Sequence, residues 1–136
     1  RNSIPELLNQ KILIVDDSKV VVLRVEFELR KCGFHNIKSI TDSRHTLETL
    51  REYQPDILLL DIVMPHLDGL AILQAIGSNS EFDHIVVLML SEAGKEDRDR
   101  SLELGALSFI QKPANPEKLL DTISSTFRLA NRFGSR

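Results

Sequence analysis

The stretch LLLDIVMPHLDG, Leu58 to Gly69, decides how the rest of the chain is read. Three leucines of buried character run directly into Asp61, after which Ile62, Val63, Met64 and Pro65 return to apolar chemistry before a turn. A carboxylate is costly to bury and cheap to leave in water, so its place on the rim of a core implies a task. The residues that share that task must come from elsewhere in the chain.

Short apolar runs bounded by polar or turn residues recur at KILIV (11–15), NIKSI (36–40), DILLL (56–60), IVVLML (85–90) and LSFI (107–110). They are too continuous to alternate between core and water, and they suit strands covered on both faces. Between them lie segments of helical period. Val22, Val25, Leu29 and Cys32 form one, with Gly33 as its C-terminal cap. Leu47, Leu50 and Tyr53 form another, Leu70, Leu73 and Ile76 a third, and Leu119, Ile123 and Phe127 the last. That last helix is expected to start at Asn115 as N-cap with Pro116 in its first position. The segment KEDRDRSLEL, 95–104, offers few apolar positions and, if helical, is loosely held. Near the N-terminus, SIPE (Ser3 to Glu6) has capping-box spacing and predicts one short extra helical turn.

Strand followed by helix, repeated along the chain, means parallel strands joined by right-handed crossover helices. The expected architecture is α/β and doubly wound, a (βα)5 domain with a five-stranded parallel sheet in the flavodoxin-like order 2-1-3-4-5. At 136 residues the chain has the length of one domain with a single substantial core. Its net charge of -3 lacks the broad basic field that direct nucleic-acid binding requires. Cys32 is the only cysteine, which excludes an internal disulfide and a cysteine zinc site and fits a reducing cytoplasm. No apolar run approaches the roughly 20 residues that span a bilayer, so no membrane role is expected. The chain begins with Arg1 rather than Met and ends in NRFGSR, which reads as a segment of something longer.

Ligands of an open parallel sheet bind beyond the carboxyl ends of its strands. Asp16 and Asp17 follow the first predicted strand, Asp61 the third, Ser91 the fourth, and Gln111, Lys112 and Pro113 the fifth. Asp61 therefore ends its strand in order to meet Asp16, Asp17 and Lys112. Carboxylates roughly 6 Å apart in an effective dielectric of about 20 repel by about 3 kcal/mol per pair. Three carboxylates against one ammonium leave a charge that one divalent cation cancels, and an all-oxygen ligand set with room for water indicates Mg2+. The alternative is that one acid takes a proton and Asp16 or Asp17 caps the next helix.

In order, ILIVDDS, LLLDIVMPHLDG, VVLMLS and GALSFIQKP resemble the motifs of the receiver domain of a two-component response regulator, from about residue 11 to 128. The resemblance implies that Asp61 is the phosphoacceptor, attacking the phosphorus of a phosphohistidine on a sensor histidine kinase or phosphotransfer protein. It implies Mg2+ held by Asp17 and Asp61 directly, by Asp16 partly through water, and by the backbone carbonyl of Val63. Lys112 would pair with Asp61 before reaction and with a phosphoryl oxygen afterwards. Ser91 would donate to the new phosphoryl group, and Phe109 would turn inward as Ser91 moves, a shift between two packings. The Lys112–Pro113 bond is expected to be cis, against a base rate of about 5–6%.

Two positions depart from the family pattern. Glu92 stands where a small residue is usual, and as an access modifier it would slow phosphotransfer. Phe109 lacks a hydroxyl, so its readout would rest on packing alone. The resemblance further implies a signalling domain rather than an enzyme, a downstream output domain or partner protein, and docking through the first helix and the loop after Lys112. A homodimer face is expected on the segment 95–105, the fifth strand and the last helix. The expected boundaries are an N-terminal extension over 1–10, the receiver domain over 11–130, and a tail or linker start over 131–136. Other readings fare worse on the residues. A flavodoxin would carry a hydroxyl- and glycine-rich loop where DDSK stands, and a haloacid-dehalogenase-like phosphatase would carry Asp-x-Asp. The structural rival is a pseudo-receiver that binds a partner without being phosphorylated.

Overall fold

A computed structural model describes residues 4–113 and 115–132 of the chain. Five strands, β1 (Ile12–Val15), β2 (Ile37–Ile40), β3 (Ile57–Leu60), β4 (Val86–Ser91) and β5 (Ser108–Gln111), form one sheet in the order β2-β1-β3-β4-β5. Every neighbouring pair is parallel. This is the doubly wound order expected from the alternation of apolar runs and helical segments. The strands start one residue later than the apolar runs, because Lys11, Asn36, Asp56, Ile85 and Leu107 stand just before them.

Burial explains why the strand sequences are continuous rather than alternating. Every position of β1, β3 and β4 is buried, whereas the edge strands β2 and β5 are partly exposed. On one face Ile12, Ile14, Ile57, Leu59, Val86, Leu88 and Leu90 pack with Val22, Val25 and Leu29 of α2 (Lys19–Lys31) and Leu119, Ile123 and Phe127 of α6 (Pro116–Arg132). On the other, Leu13, Val15, Leu58, Leu60, Val87 and Met89 meet Leu50 of α3 (Thr46–Tyr53) and Ile72, Leu73 and Ile76 of α4 (Gly69–Gly77). Each buried aliphatic side chain contributes about 1.5–3 kcal/mol relative to exposure, so the central strands anchor both layers.

The helix ends follow their local chemistry. Ser18 caps α2 by accepting the Val21 N–H at 3.3 Å. At the other end Gly33 takes φ +108°, its N–H donates to Arg30 O at 3.0 Å, and the Phe34 N–H reaches Leu29 O at 3.1 Å. This is a Schellman closure, and Phe34, 1% exposed, seals it from below. Asn115 caps α6, its Oδ1 accepting the Lys118 N–H at 2.7 Å with Pro116 in the first position. Cys32 is half-buried against the α2/α6 core.

A short helix, α1 (Ile4–Leu8), forms within the 1–10 extension, and Leu7 inserts into the α2/α6 core. Ser3, the first residue of the expected capping box, lies outside the described residues, as do 133–136 of the tail. The segment 95–104 is helical as α5 (Lys95–Glu103), but only Ser101 of it is buried. Its surface carries Lys95–Asp99 and Arg100–Glu103 pairs, which are solvent-screened and hold the helix only weakly. Among the described residues no helix is long and apolar enough to cross a membrane.

Candidate functional site

The residues that follow the strands meet in a cleft of about 390 Å³ lined by Asp16, Asp17, Asp61, Val63, Ser91, Glu92 and Lys112, among others. Asp16 continues β1, its N–H donating to Ile40 O at 3.3 Å. Its Oδ1 accepts the Ser18 N–H at 2.9 Å, which turns the carboxylate into the cleft ahead of α2. Neither Asp16 nor Asp17 caps that helix, because Ser18 does. Asp61 is tied to β1 by its N–H on Val15 O at 3.0 Å, and its Oδ1 accepts the Ile62 N–H at 2.7 Å.

Asp16 and Asp61 are 2% and 6% exposed, whereas Asp17 faces water. One carboxylate oxygen from each of Asp16, Asp17 and Asp61 lies within 4.8 Å of the others. At that separation and an effective dielectric of about 20, each pair repels by about 3 kcal/mol. Lys112 offsets part of this. Its Nζ lies 2.6 Å from Asp16 Oδ2 and 3.2 Å from Asp61 Oδ2, so it bridges both buried acids and sits nearer Asp16. Burial pushes the Asp16 carboxyl up from its ordinary value, outweighing the hydrogen bonds from Lys112 and Ser18. Burial opposes the Lys112 ammonium, yet the two carboxylates prevail and raise its pKa.

An all-oxygen set of three carboxylates, open to water on the Asp17 side, fits a hard divalent cation that keeps several waters. Val63 lines the same cleft and is 68% exposed. Ser91, 1% exposed, ends β4, and its Oγ accepts the Ala93 N–H at 3.2 Å. Lys112 is positioned from the same strand end, its N–H donating to Ser91 O at 2.9 Å. The Lys112–Pro113 bond is cis. Phe109 pairs in register with Met89 and is half-buried on the α3/α4 side of the sheet, the side Ser91 shares by alternation along β4. Glu92 is exposed at the rim, and its carbonyl accepts the Gln111 Nε2–H at 3.1 Å.

Two supports were not read from the sequence. Gly69 opens α4 directly against the Asp61 backbone, its N–H donating to Ile62 O at 2.8 Å. Ser43, 2% exposed, donates to Pro65 O at 2.9 Å and accepts the Leu67 N–H at 3.2 Å, which fastens the loop between Asp61 and α4. A glycine after Asp68 in the first turn of an apolar helix was a signal for the first. Ser43 gave none, since its partners are distant in the chain.

The family model described as response regulator receiver domain matches residues 12–124. The "Probable transcriptional regulator ycf27" of Guillardia theta is 32% identical over 123 residues, covering 90% of this chain and 47% of the relative. The chain thus spans about half the length of that curated relative. Among solved structures, the chemotaxis protein CheY4 of Vibrio cholerae is 28% identical with a TM-score of 0.80, over 87% of this chain and 98% of that one. CheY in the CheX-CheY-BeF3-Mg2+ complex from Borrelia burgdorferi is similar at 32% identity and a TM-score of 0.80, over 87% and 89% of the two chains.

Proposed function

Because the chain belongs to the response regulator receiver domain family, we propose that it is a phosphoacceptor that takes a phosphoryl group onto Asp61. A receiver domain is a signalling domain and not catalytic in itself. The observation that carries the proposal is the gathering of Asp16, Asp17 and Asp61 within 4.8 Å, with the Lys112 ammonium 3.2 Å from Asp61 Oδ2. Asp61 Oδ1 is engaged by the Ile62 N–H. Oδ2 is then the nucleophile, forming a bond to phosphorus while the P–N bond of a partner's phosphohistidine breaks and the imidazole keeps the electron pair.

Asp16, Asp17, Asp61 and the Val63 carbonyl would hold Mg2+, which when bound neutralises phosphoryl oxygens as charge shifts between donor and acceptor. Lys112, already against Asp61, is within reach of the new phosphoryl group. The Ser91 hydroxyl donates to that group, and Phe109 moves into the space Ser91 leaves, biasing one of two packings.

The donor is a sensor histidine kinase or phosphotransfer protein. Val20, Leu23 and Phe27, all exposed on α2, support docking through that helix. The domain spans 11–130, flanked by the extension over 1–10 and a tail or linker start over 131–136, and it relays to an output domain or partner protein in the cytoplasm. Exposed Leu102, Leu107 and Leu129 support a homodimer through α5, β5 and α6. Equal sedimentation coefficients with and without beryllofluoride would refute that dimer.

The test of the central reading is incubation with a small phosphodonor and Mg2+, followed by intact mass. The native chain is expected to gain one phosphoryl group and Asp61→Asn none. The negative rim at Glu92 favours the rival, a pseudo-receiver acting as a phosphorylation-independent binding module. An unchanged native mass would establish that rival instead.

A further inference from the structure

We infer that Gln111 is a latch on Ser91: through the Glu92–Ala93 peptide it holds the serine hydroxyl in place, and a phosphoryl group must break that hold to draw Ser91 in. The inference rests on the phosphoacceptor reading above and adds a positioning residue to it. β4 and β5 run in register to their ends, where Ser91 stands beside Gln111. The last bond between the two main chains is Lys112 N–H to Ser91 O at 2.9 Å. Beyond it the chain leaves the sheet as the loop 92–94, before α5 begins at Lys95.

Two hydrogen bonds set the course of that loop, and both fall on one peptide unit. Glu92 O accepts the Gln111 Nε2–H at 3.1 Å, and the Ala93 N–H donates to Ser91 Oγ at 3.2 Å. A peptide is planar and trans, so its carbonyl and its N–H point in opposite directions and turn together. Gln111 fixes the carbonyl end and thereby aims the N–H at the serine oxygen. Among the described residues this is the one hydrogen bond that ties the loop to another strand. Packing adds no hold at Gly94, where a Cβ would meet nothing within 4 Å.

Ser91 cannot approach a phosphoryl group without disturbing this unit. If the serine leaves the Ala93 N–H behind, the pinned peptide cannot turn that N–H to another acceptor. If the peptide follows, Glu92 O leaves the Gln111 amide. Either path loses a hydrogen bond, so the latch favours the packing without phosphate. Phe109 lies on the same face of β5, two residues before Gln111. Its ring carries no hydroxyl, so the polar restraint between this strand and the loop falls to Gln111.

Two substitutions that preserve net charge test the latch in the full chain. Gln111→Met keeps the side-chain length and removes the donor, whereas Gln111→Asn keeps the amide on a shorter stem. The first measurement is amide exchange by NMR without metal. Exchange at Ala93 is expected to quicken about three-fold in both variants, the effect of one hydrogen bond of modest net strength, while the Lys112 N–H keeps its native rate. The second is calorimetric titration with beryllofluoride and Mg2+, whose dissociation constant should fall about three-fold in both variants, because less of the binding energy is spent on the switch. Unchanged exchange at Ala93 would mean that Gln111 does not hold the peptide, and equal quickening at Ala93 and Lys112 would mean that the strand end merely frays. An unchanged or weaker beryllofluoride affinity in either variant would mean that the bond does not oppose the switch. Each of these results overturns the latch and leaves the phosphoacceptor reading intact. A native chain that binds no beryllofluoride overturns both.

Discussion

Replacing Gly69 with alanine is expected to disable the site without touching any of its polar groups. Gly69 opens α4, and its backbone passes against the strand end that carries Asp61. A Cβ there would stand 2.0 Å from the Asp61 carbonyl oxygen, 2.8 Å from Ile62 Cα and 2.9 Å from the Asp61 carbonyl carbon. Close carbon–oxygen contacts lie near 3.3 Å, so the two segments must part by about 1 Å. β3 is poorly placed to yield, because the Asp61 N–H is tied to Val15 O at 3.0 Å and Leu60 pairs with both Val15 and Met89. All three obstructing atoms are backbone, which no rotamer change relieves. Overpacking costs about 1–3 kcal/mol, and the upper end applies here. The gain of about 1 kcal/mol from alanine in a helix offsets only part of it. A displacement of about 1 Å at a reacting group costs on the order of 100-fold in rate.

Gly77→Ala supplies the contrast. Its Cβ would meet only Leu104 O at 3.8 Å, an ordinary contact at the last residue of the same helix. That variant should keep its labelling rate and lose no stability. Urea unfolding of both proteins, with Mg2+-dependent mass gain from phosphoramidate, makes the comparison. A Gly69→Ala chain with native midpoint and native labelling would refute the packing argument and the claim that α4 sets the position of Asp61.

Three further outcomes follow from the electrostatics and the loop. Asp17→Asn removes the exposed member of the acid cluster, which Lys112 does not contact, so the metal-free melting temperature should hold or rise slightly while the Mg2+-induced rise disappears; a persistent rise would show that Asp17 holds no metal. Burial raises the Asp16 pKa above its ordinary value of 3.8, so its protonated form favours the fold. That stabilising contribution is complete below the ordinary value and is lost as pH climbs through the raised one. A cation needs the ionised form, so the Mg2+-induced gain should grow over the same interval, and thermal melts showing an equal gain at both ends would contradict this. Ser43→Ala removes the hydroxyl that donates to Pro65 O and shares the Leu67 N–H with that carbonyl, costing about 0.5–1.5 kcal/mol, and it should speed amide exchange at Leu67. Unchanged exchange there would mean that the hydroxyl does not hold the loop.

What was legible in the sequence tracks how local the cause is. KILIV, DILLL and IVVLML declared themselves as strands because burial on both faces allows no polar position to interrupt them. Gly33 and Asn115 were readable because a helix cap is set by residues within one turn of it. The rim residues could be assembled because a parallel sheet delivers every strand's carboxyl end to the same edge. KEDRDRSLEL left its state open for a physical reason: with Ser101 alone buried, its helix leaves almost no apolar imprint.

The sequence was silent where the cause is a distance between remote segments. Nothing in the spacing of Ser43 points to Pro65 and Leu67, and the glycine at 69 marks a close approach without identifying the carbonyl of Asp61 as what it meets. The same limit applies to the lysine. Strand order places Lys112 on the rim with all three acids, but only the chain's path turns Asp16 inward and Asp17 outward and brings the ammonium to 2.6 Å from Asp16 and 3.2 Å from Asp61. Adjacent acids that look equivalent in the sequence therefore differ in kind. Asp16 is buried and paired with Lys112, while Asp17 faces water at the open side. A cation entering from that side would meet Asp17 first and compete with Lys112 for Asp16, which makes Asp17 the more revealing position to mutate when metal binding is the question.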